Sequence, residues 1–231
     1  GPRTYTFPEV KAEGINLQIT DEKGSKKVQL SRSEKSKAKY DNLLLLAEIN
    51  NMVVFENEIA FDDYPSVIGH IITDSLPSGI LHFTVFNREG LPLAERLSFI
   101  DNGEYKSTPG IVPVKFSAEK RAVNEWDINF PNSMLRSLSV AITDIPSFSF
   151  NDEDNIWSRL LLTSDLKGHI NNPAWYFGDQ SDSTRLALDN LLLTQGWSRF
   201  NWTKILCGMF PEKKYNVLSL ISISGKVSDE K

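Results

Sequence analysis

Ile80-Leu81-His82-Phe83-Thr84-Val85-Phe86, then Asn87-Arg88-Glu89-Gly90, then Leu93 to Ile100 decides how this chain is read. Leu81, Phe83 and Val85 fall on one side of an extended segment, with His82 and Thr84 on the other. Period-two alternation marks a strand with a buried face, and a polar link ending in Gly turns it back on itself. The same pattern appears twice upstream. Leu43 to Ile49 and Met52 to Ile59 flank Asn50-Asn51, a pair that tolerates the left-handed backbone of a tight hairpin. Ile15, Leu17 and Ile19 alternate with Asn16 and Gln18, turn through Asp21-Glu22-Lys23-Gly24, and return through Val28 and Leu30. Three hairpins with no helical period before about residue 150 predict an antiparallel sandwich and argue against a βαβ sheet.

Beyond Ile100 the Gly-, Pro- and Ser/Thr-rich stretch Asp101 to Gly110 reads as a linker. Val112 to Phe116, Trp126 to Phe130 and Leu138 to Ile142 resume short strands, predicting a second sandwich. Two segments inside it have helical spacing, Asp154 to Leu162 and Thr184 to Gln195. Ser181 or Asp182 is placed to cap the second, Leu188, Leu191 and Leu192 form its stripe, and Gly196 suits its end. The expected class is mainly all-β: tandem antiparallel Ig-like sandwiches over 8–103 and 111–206, the second with a helical insertion at about 152–197. Residues 215–231, with Val217, Leu218, Leu220, Ile221 and Ile223, are expected to open a further β-domain. The start at Gly1-Pro2-Arg3 is expected of a mature fragment with a tag remnant.

The chain has 231 residues, 40% of them hydrophobic, with 24 aromatics, which excludes a disordered tail and a disulfide miniprotein. Its 25 basic and 30 acidic residues give a net charge of −5, which disfavours nucleic acid and anionic lipid as partners. Ser31 to Lys39 carries Arg32, Lys35, Lys37 and Lys39 without interleaved aromatics, the pattern of a solvated loop rather than a specific basic patch. No apolar run approaches the ~20 residues of a spanning helix. The single Cys207 leaves the redox compartment undecided.

His70, His82 and His169 lack metal-ligand spacing, and His82 reads as a surface residue; no metal or cofactor is expected. No Gly-x-Ser-x-Gly elbow or phosphate-cradling Gly loop occurs. Asn151-Asp152-Glu153-Asp154-Asn155 fits a helix start better than a calcium loop, and Asp62-Asp63 before Tyr64-Pro65 fits a turn better than an acid/base pair. Asn201-Trp202-Thr203 matches a glycosylation sequon, which matters only in a eukaryotic secretory route. The candidate interaction surface is aromatic: Trp175-Tyr176-Phe177 with Trp197 and Trp202. Such rings serve either as a platform for glycan or peptide, or as pins holding the helical segment to the sandwich.

Leu76 to Leu81 running into Phe83 to Phe86, then Gly90 to Arg96, resembles the end of an MG2-type macroglobulin domain. Leu160 to Gly168, Asn172 to Phe177 and Leu191 to Phe200 resemble a pattern of large Gram-negative envelope proteins. Those proteins string macroglobulin-like domains ahead of a carboxypeptidase-regulatory-like domain, often with a TonB-dependent receptor plug. The resemblance implies a noncatalytic module in the periplasm or at the outer membrane, partnered by other domains of its own polypeptide and by envelope protein, peptide or glycan. It also implies that Ser222 to Asp229 begins the regulatory-like domain. Two departures limit it: Leu206-Cys207-Gly208-Met209 has no Gln to acylate the thiol, and no carboxypeptidase zinc motif is present. The alternatives are a glycan- or peptide-binding sandwich using the Trp/Tyr cluster, and a hydrolase using Asp62, Asp63 or the 151–155 acids.

Overall fold

The structure, a computed structural model, describes residues 4–6, 8–107, 109–130, 139, 140, 142, 153–179, 181–195, 201–210 and 212. Gly1–Arg199 form one compact unit and Phe200–Lys231 a second.

The three expected hairpins are present. β1 (Ile15–Glu22) and β2 (Ser25–Arg32) pair antiparallel around Lys23-Gly24. β3 (Asn42–Ile49) and β4 (Met52–Ala60) turn at Asn50 and Asn51, whose φ angles of 52° and 62° give the two left-handed residues a two-residue hairpin needs. β6 (Gly79–Phe86) and β7 (Pro92–Ile100) form the third. A strand the sequence reading lacks, β5 (Ser66–Ile72), pairs antiparallel with β2. Gly69 and His70 interrupt its apolar pattern, and only Ile71 is buried, so alternation is too weak to reveal it.

Two antiparallel sheets result, ordered β1-β2-β5 and β4-β3-β6-β7. They share one core. Ile19, Val28, Leu30 and Ile71 from the first sheet meet Leu43, Leu45, Ala47, Ile49, Leu81, Phe83 and Val85 from the second. Each strand's alternation sends these side chains to the inner face, as cross-strand partners such as Leu45 and Val85 require.

β6 is buried on both faces, apart from a partly exposed His82, and the helical segment is the reason. α1 (Ile156–Leu161), a 3₁₀ turn at Pro173–Phe177 and α2 (Asp182–Thr194) bring Leu162, Leu166, Ile170, Phe177, Leu188 and Leu192 onto Ile80 and Leu97, the outward-facing side of β6 and β7. The helices expected as an insertion in a second sandwich therefore pack on the first pair of sheets, and the expected boundary at 103–111 falls within one compact unit. The physical cause is Ile80, Leu97 and Phe99: three apolar residues on the outer face of an edge pair need a cover.

Local caps set the helix limits. Asn155 accepts from the Ser158 N–H at 2.9 Å while Ser158 Oγ accepts from the Asn155 N–H at 2.9 Å, a reciprocal box. Ser181 accepts from the Thr184 N–H at 3.3 Å. β8 (Gly110–Lys115) and β9 (Glu125–Asn129) form a separate two-stranded hairpin at the expected position. Leu138 to Ile142 and Gly196 lie largely or wholly outside the described residues, as do residues 215–231. In the second unit, Asn201 caps the short α3 (Trp202–Leu206), accepting from the Lys204 N–H at 3.1 Å, and Cys207 is an exposed free thiol. No helix among the described residues is long and apolar enough to cross a membrane.

Candidate functional site: a cleft between the sandwich edge and the helical layer

A concavity of about 670 Å³ opens where α2 lies beside β7. The β1–β2 turn forms one wall through Asp21 to Lys26. The ends of β5 and β7 form the floor, with Thr73, Asp74, Phe99 and Asn102. Tyr176, Asp179 and the α2 residues Arg185, Leu188 and Asp189 form the opposite wall. Gly24 has φ +72°, a left-handed backbone that favours glycine, and a Cβ built there would stand 2.5 Å from Asp74 Oδ1, so the turn lies close against that carboxylate.

Two buried cations edge this cleft. Lys26, 4% exposed, sends Nζ to the Asp21 carboxylate and to Phe99 O at 2.5 Å. Arg96, 8% exposed, donates to Leu97 O and, 2.6 Å away, to Asp189 on α2. Both cations thus donate to main-chain carbonyls of β7, the last strand of its sheet. A third buried cation stands at the other end of β2. Arg32 donates to Lys37 O at 2.9 Å, Tyr40 O at 3.2 Å, Asp41 Oδ1 at 2.9 Å and Asp62 O at 2.6 Å, which fixes the 33–41 loop against the β4–β5 turn. Of the Ser31–Lys39 cations, Lys37 pairs with Asp63 at 2.9 Å and Lys39 with Glu13 at 3.6 Å, both on the surface.

The cleft lining holds six carboxylates, Asp21, Glu22, Asp74, Asp101, Asp179 and Asp189, against three cations, Lys23, Lys26 and Arg185. Asp179 accepts from the Thr184 hydroxyl and from Ser181, and these bonds hold its carboxyl below the usual carboxylate range. The wall is therefore ionised at neutral pH through that residue.

The expected aromatic surface divides. Trp175 is half exposed and meets Tyr176 edge to face, centroids 5.2 Å apart, and Tyr176 lines the cleft. Phe177 points the other way, buried edge-on against Phe99 at 5.7 Å and Tyr105 at 6.3 Å. It is a pin, not a platform. Trp202 belongs to the second unit and Trp197 lies outside the described residues.

His82 is not a surface residue. Its side chain is 12% exposed, with Nδ1 3.5 Å from the Glu48 carboxylate, because the outer face of β6 carries the helical layer. Asp62 contributes its backbone carbonyl to Arg32, while Asp63 is held below the usual range by Lys37. Asp154 accepts from Ser158 Oγ at 2.5 Å beside α1, and Asn151 and Asp152 lie outside the described residues. Asp63 and Asp154 thus each have a local partner on a different loop. Among the described residues no three His, Cys, Asp or Glu side chains are grouped to hold a metal ion.

Sequence reasoning named Tyr176 but not the cleft, Lys26 or Arg96, and it placed Arg32 in a solvated loop, whereas Arg32 ends β2 and is buried. Lys26 in Ser25-Lys26-Lys27-Val28 occupies the inward phase of its strand, and that phase was the available signal. No protein-family model matches this chain, and no curated protein matches it.

Proposed function

We propose that this chain is a noncatalytic interaction module of a bacterial cell-envelope protein. It acts as a spacer and docking arm among other domains of the same polypeptide, for instance in an accessory region of a TonB-dependent outer-membrane receptor, in the periplasm or at the cell surface. The observation that carries the reading is how buried charge is used: Arg32 ties the 33–41 loop to the β4–β5 turn, Lys26 of β2 binds Asp21 of β1 and the Phe99 carbonyl of β7, and Arg96 of β7 binds Asp189 of α2. Chemistry of that kind builds a rigid support. The stacked three- and four-stranded sheets support a macroglobulin-like, Ig-like first sandwich, and the β8–β9 hairpin supports the start of a tandem one.

A second reading, capture of peptide or glycan, is favoured by one observation: Tyr176 lines the cleft with half-exposed Trp175 beside it.

Epitope tagging of the whole parent polypeptide in its host, followed by cell fractionation, tests the envelope assignment. Recovery with the outer membrane or periplasm is expected; recovery in the cytosol overturns it.

A further inference from the structure

The geometry points to the outer edge of β5 as a homodimerisation surface, where the strand pairs antiparallel with the same strand of a second copy of this chain. The inference goes beyond the interaction-module reading and does not depend on it.

The first argument is which backbone groups are available. The Arg32 N–H donates to Pro65 O at 3.0 Å and the Thr73 N–H to Gly24 O at 2.9 Å, so Pro65 and Thr73, which bracket β5, turn these groups toward β2. Backbone direction alternates along a strand. Val67, Gly69 and Ile71 therefore face β2 as well, while Ser66, Ile68, His70 and Ile72 send their N–H and C=O groups to the opposite side. Among the described residues no strand pairs with that side.

The second argument is that, of the four edges of the two packed sheets, β5 alone lacks a guard. β7 lies beside α2 and gives carbonyls to Lys26 and Arg96. β1 lies against β7 and ends in Asp21-Glu22, and β4 carries Glu56 and Glu58 and pairs with β3 through a register shift. Ser66–Ile72 holds no Asp, Glu, Lys, Arg or Pro, pairs with β2 in unbroken register, and exposes Ile68 and Ile72. Such an edge is a template for another strand.

The third argument selects a second copy as the occupant. The four outward residues are placed symmetrically about Gly69, so antiparallel self-pairing centred there sets Ser66 opposite Ile72, and Ile68 opposite His70, of the second copy. Each of these pairs exchanges two hydrogen bonds, and every outward N–H and C=O of both strands finds a partner. On the inner face Val67 meets Ile71 of the second copy, which continues both cores. With no carboxylate, ammonium or guanidinium in the strand, no such charges oppose one another across the pair. Gly69 falls on the two-fold axis, in a non-hydrogen-bonded pair where backbones approach most closely, and a Cβ built there meets nothing within 4 Å of its own chain. An unrelated strand makes no use of that symmetry.

The test is sedimentation equilibrium of the whole chain at neutral pH, with the register read by cross-linking. One strand pair is smaller than a standard interface, so a dissociation constant of about 10–100 µM is expected, with the average mass rising from 26.1 kDa toward twice that value as concentration increases. Ile68→Pro deletes an outward N–H without touching the ladder to β2 and should weaken association roughly tenfold or more. In a Cys207→Ser background, Gly69→Cys should form an intermolecular disulfide under mild oxidation, because the two Cα atoms stand about 4.5 Å apart across the axis. Ile72→Cys, far from its symmetry mate, should cross-link several-fold less. A mass of 26.1 kDa at every concentration overturns the dimer. Equal cross-linking at positions 69 and 72 overturns the β5 edge as its site, as does association unchanged by Ile68→Pro. Fractionation of the parent polypeptide reports on the envelope assignment independently of these results.

Discussion

The Arg32 guanidinium stands 4.7 Å over the centre of the Phe61 ring, and both side chains are buried. The ring covers one face of the cation while four backbone carbonyls, from Lys37, Tyr40, Asp62 and Tyr64, take its N–H groups in the plane. A planar fork satisfies these directions together, whereas an ammonium does not. Replacing Arg32 also takes the donor away from all four part-buried carbonyl bonds.

Arg32→Lys should therefore destabilise the first unit by about 2 kcal/mol, and Arg32→Met by about 3 kcal/mol. Urea unfolding followed by tryptophan fluorescence measures both. An effect below about 0.5 kcal/mol for Arg32→Met would mean that the loop and turn hold together without it.

Phe177 and Trp175 are two positions apart and should behave differently. Phe177→Ala empties a place between Phe99 and Tyr105 and should cost about 3–5 kcal/mol. Trp175→Ala removes a ring that is 49% exposed and should cost about 1 kcal/mol or less. Thermal unfolding of the two variants side by side gives the comparison.

Thr84 is fully buried on the outer face of β6, and its hydroxyl has no hydrogen-bond partner among the described residues. Thr84→Val keeps the β-branched shape and removes the unsatisfied group, so it should stabilise the protein by about 1 kcal/mol. Chemical denaturation at neutral pH checks the sign.

Glu104 gives a pH dependence. Burial opposes its ionisation, but the Ser78 hydroxyl at 2.6 Å and the Ser78 N–H outweigh that and hold its carboxyl below the usual carboxylate value. A lowered folded pKa contributes stability that is complete above the unfolded value, about 4.3, and is lost as pH falls through the folded one. Glu104→Gln should therefore lower stability by about 1 kcal/mol at pH 7, solvent screening included, and by much less near pH 3. Unfolding curves at both pH values test the sign.

Much of the architecture is legible in the residues. Asn50-Asn51 and the period-two runs around it specify β3 and β4 directly, because turn chemistry and alternation agree there. Ser181 and the Leu188/Leu192 stripe specify α2 equally well, with its buried residues on the expected side. Its packing partner is not legible. Ile80, Leu97 and Phe99 look like ordinary strand residues until the outer face of β6 and β7 is known to need a cover. β5 is hidden for the opposite reason, since an edge strand with one buried side chain leaves little pattern. The site is less legible still: Asp21, Asp74, Asp179 and Asp189 are far apart in sequence and meet only through the sheet topology and the docking of α2.

The central claim is that the helical layer belongs structurally to the first pair of sheets, held by the Arg96–Asp189 bond that also borders the cleft. A double-mutant cycle with Arg96→Ala, Asp189→Ala and the double variant, read by urea unfolding of the whole chain, tests it most directly. A coupling of about 1–3 kcal/mol is expected, with sheets and helices unfolding in one transition. Additive effects, with α2 melting before the sheets, would contradict the account.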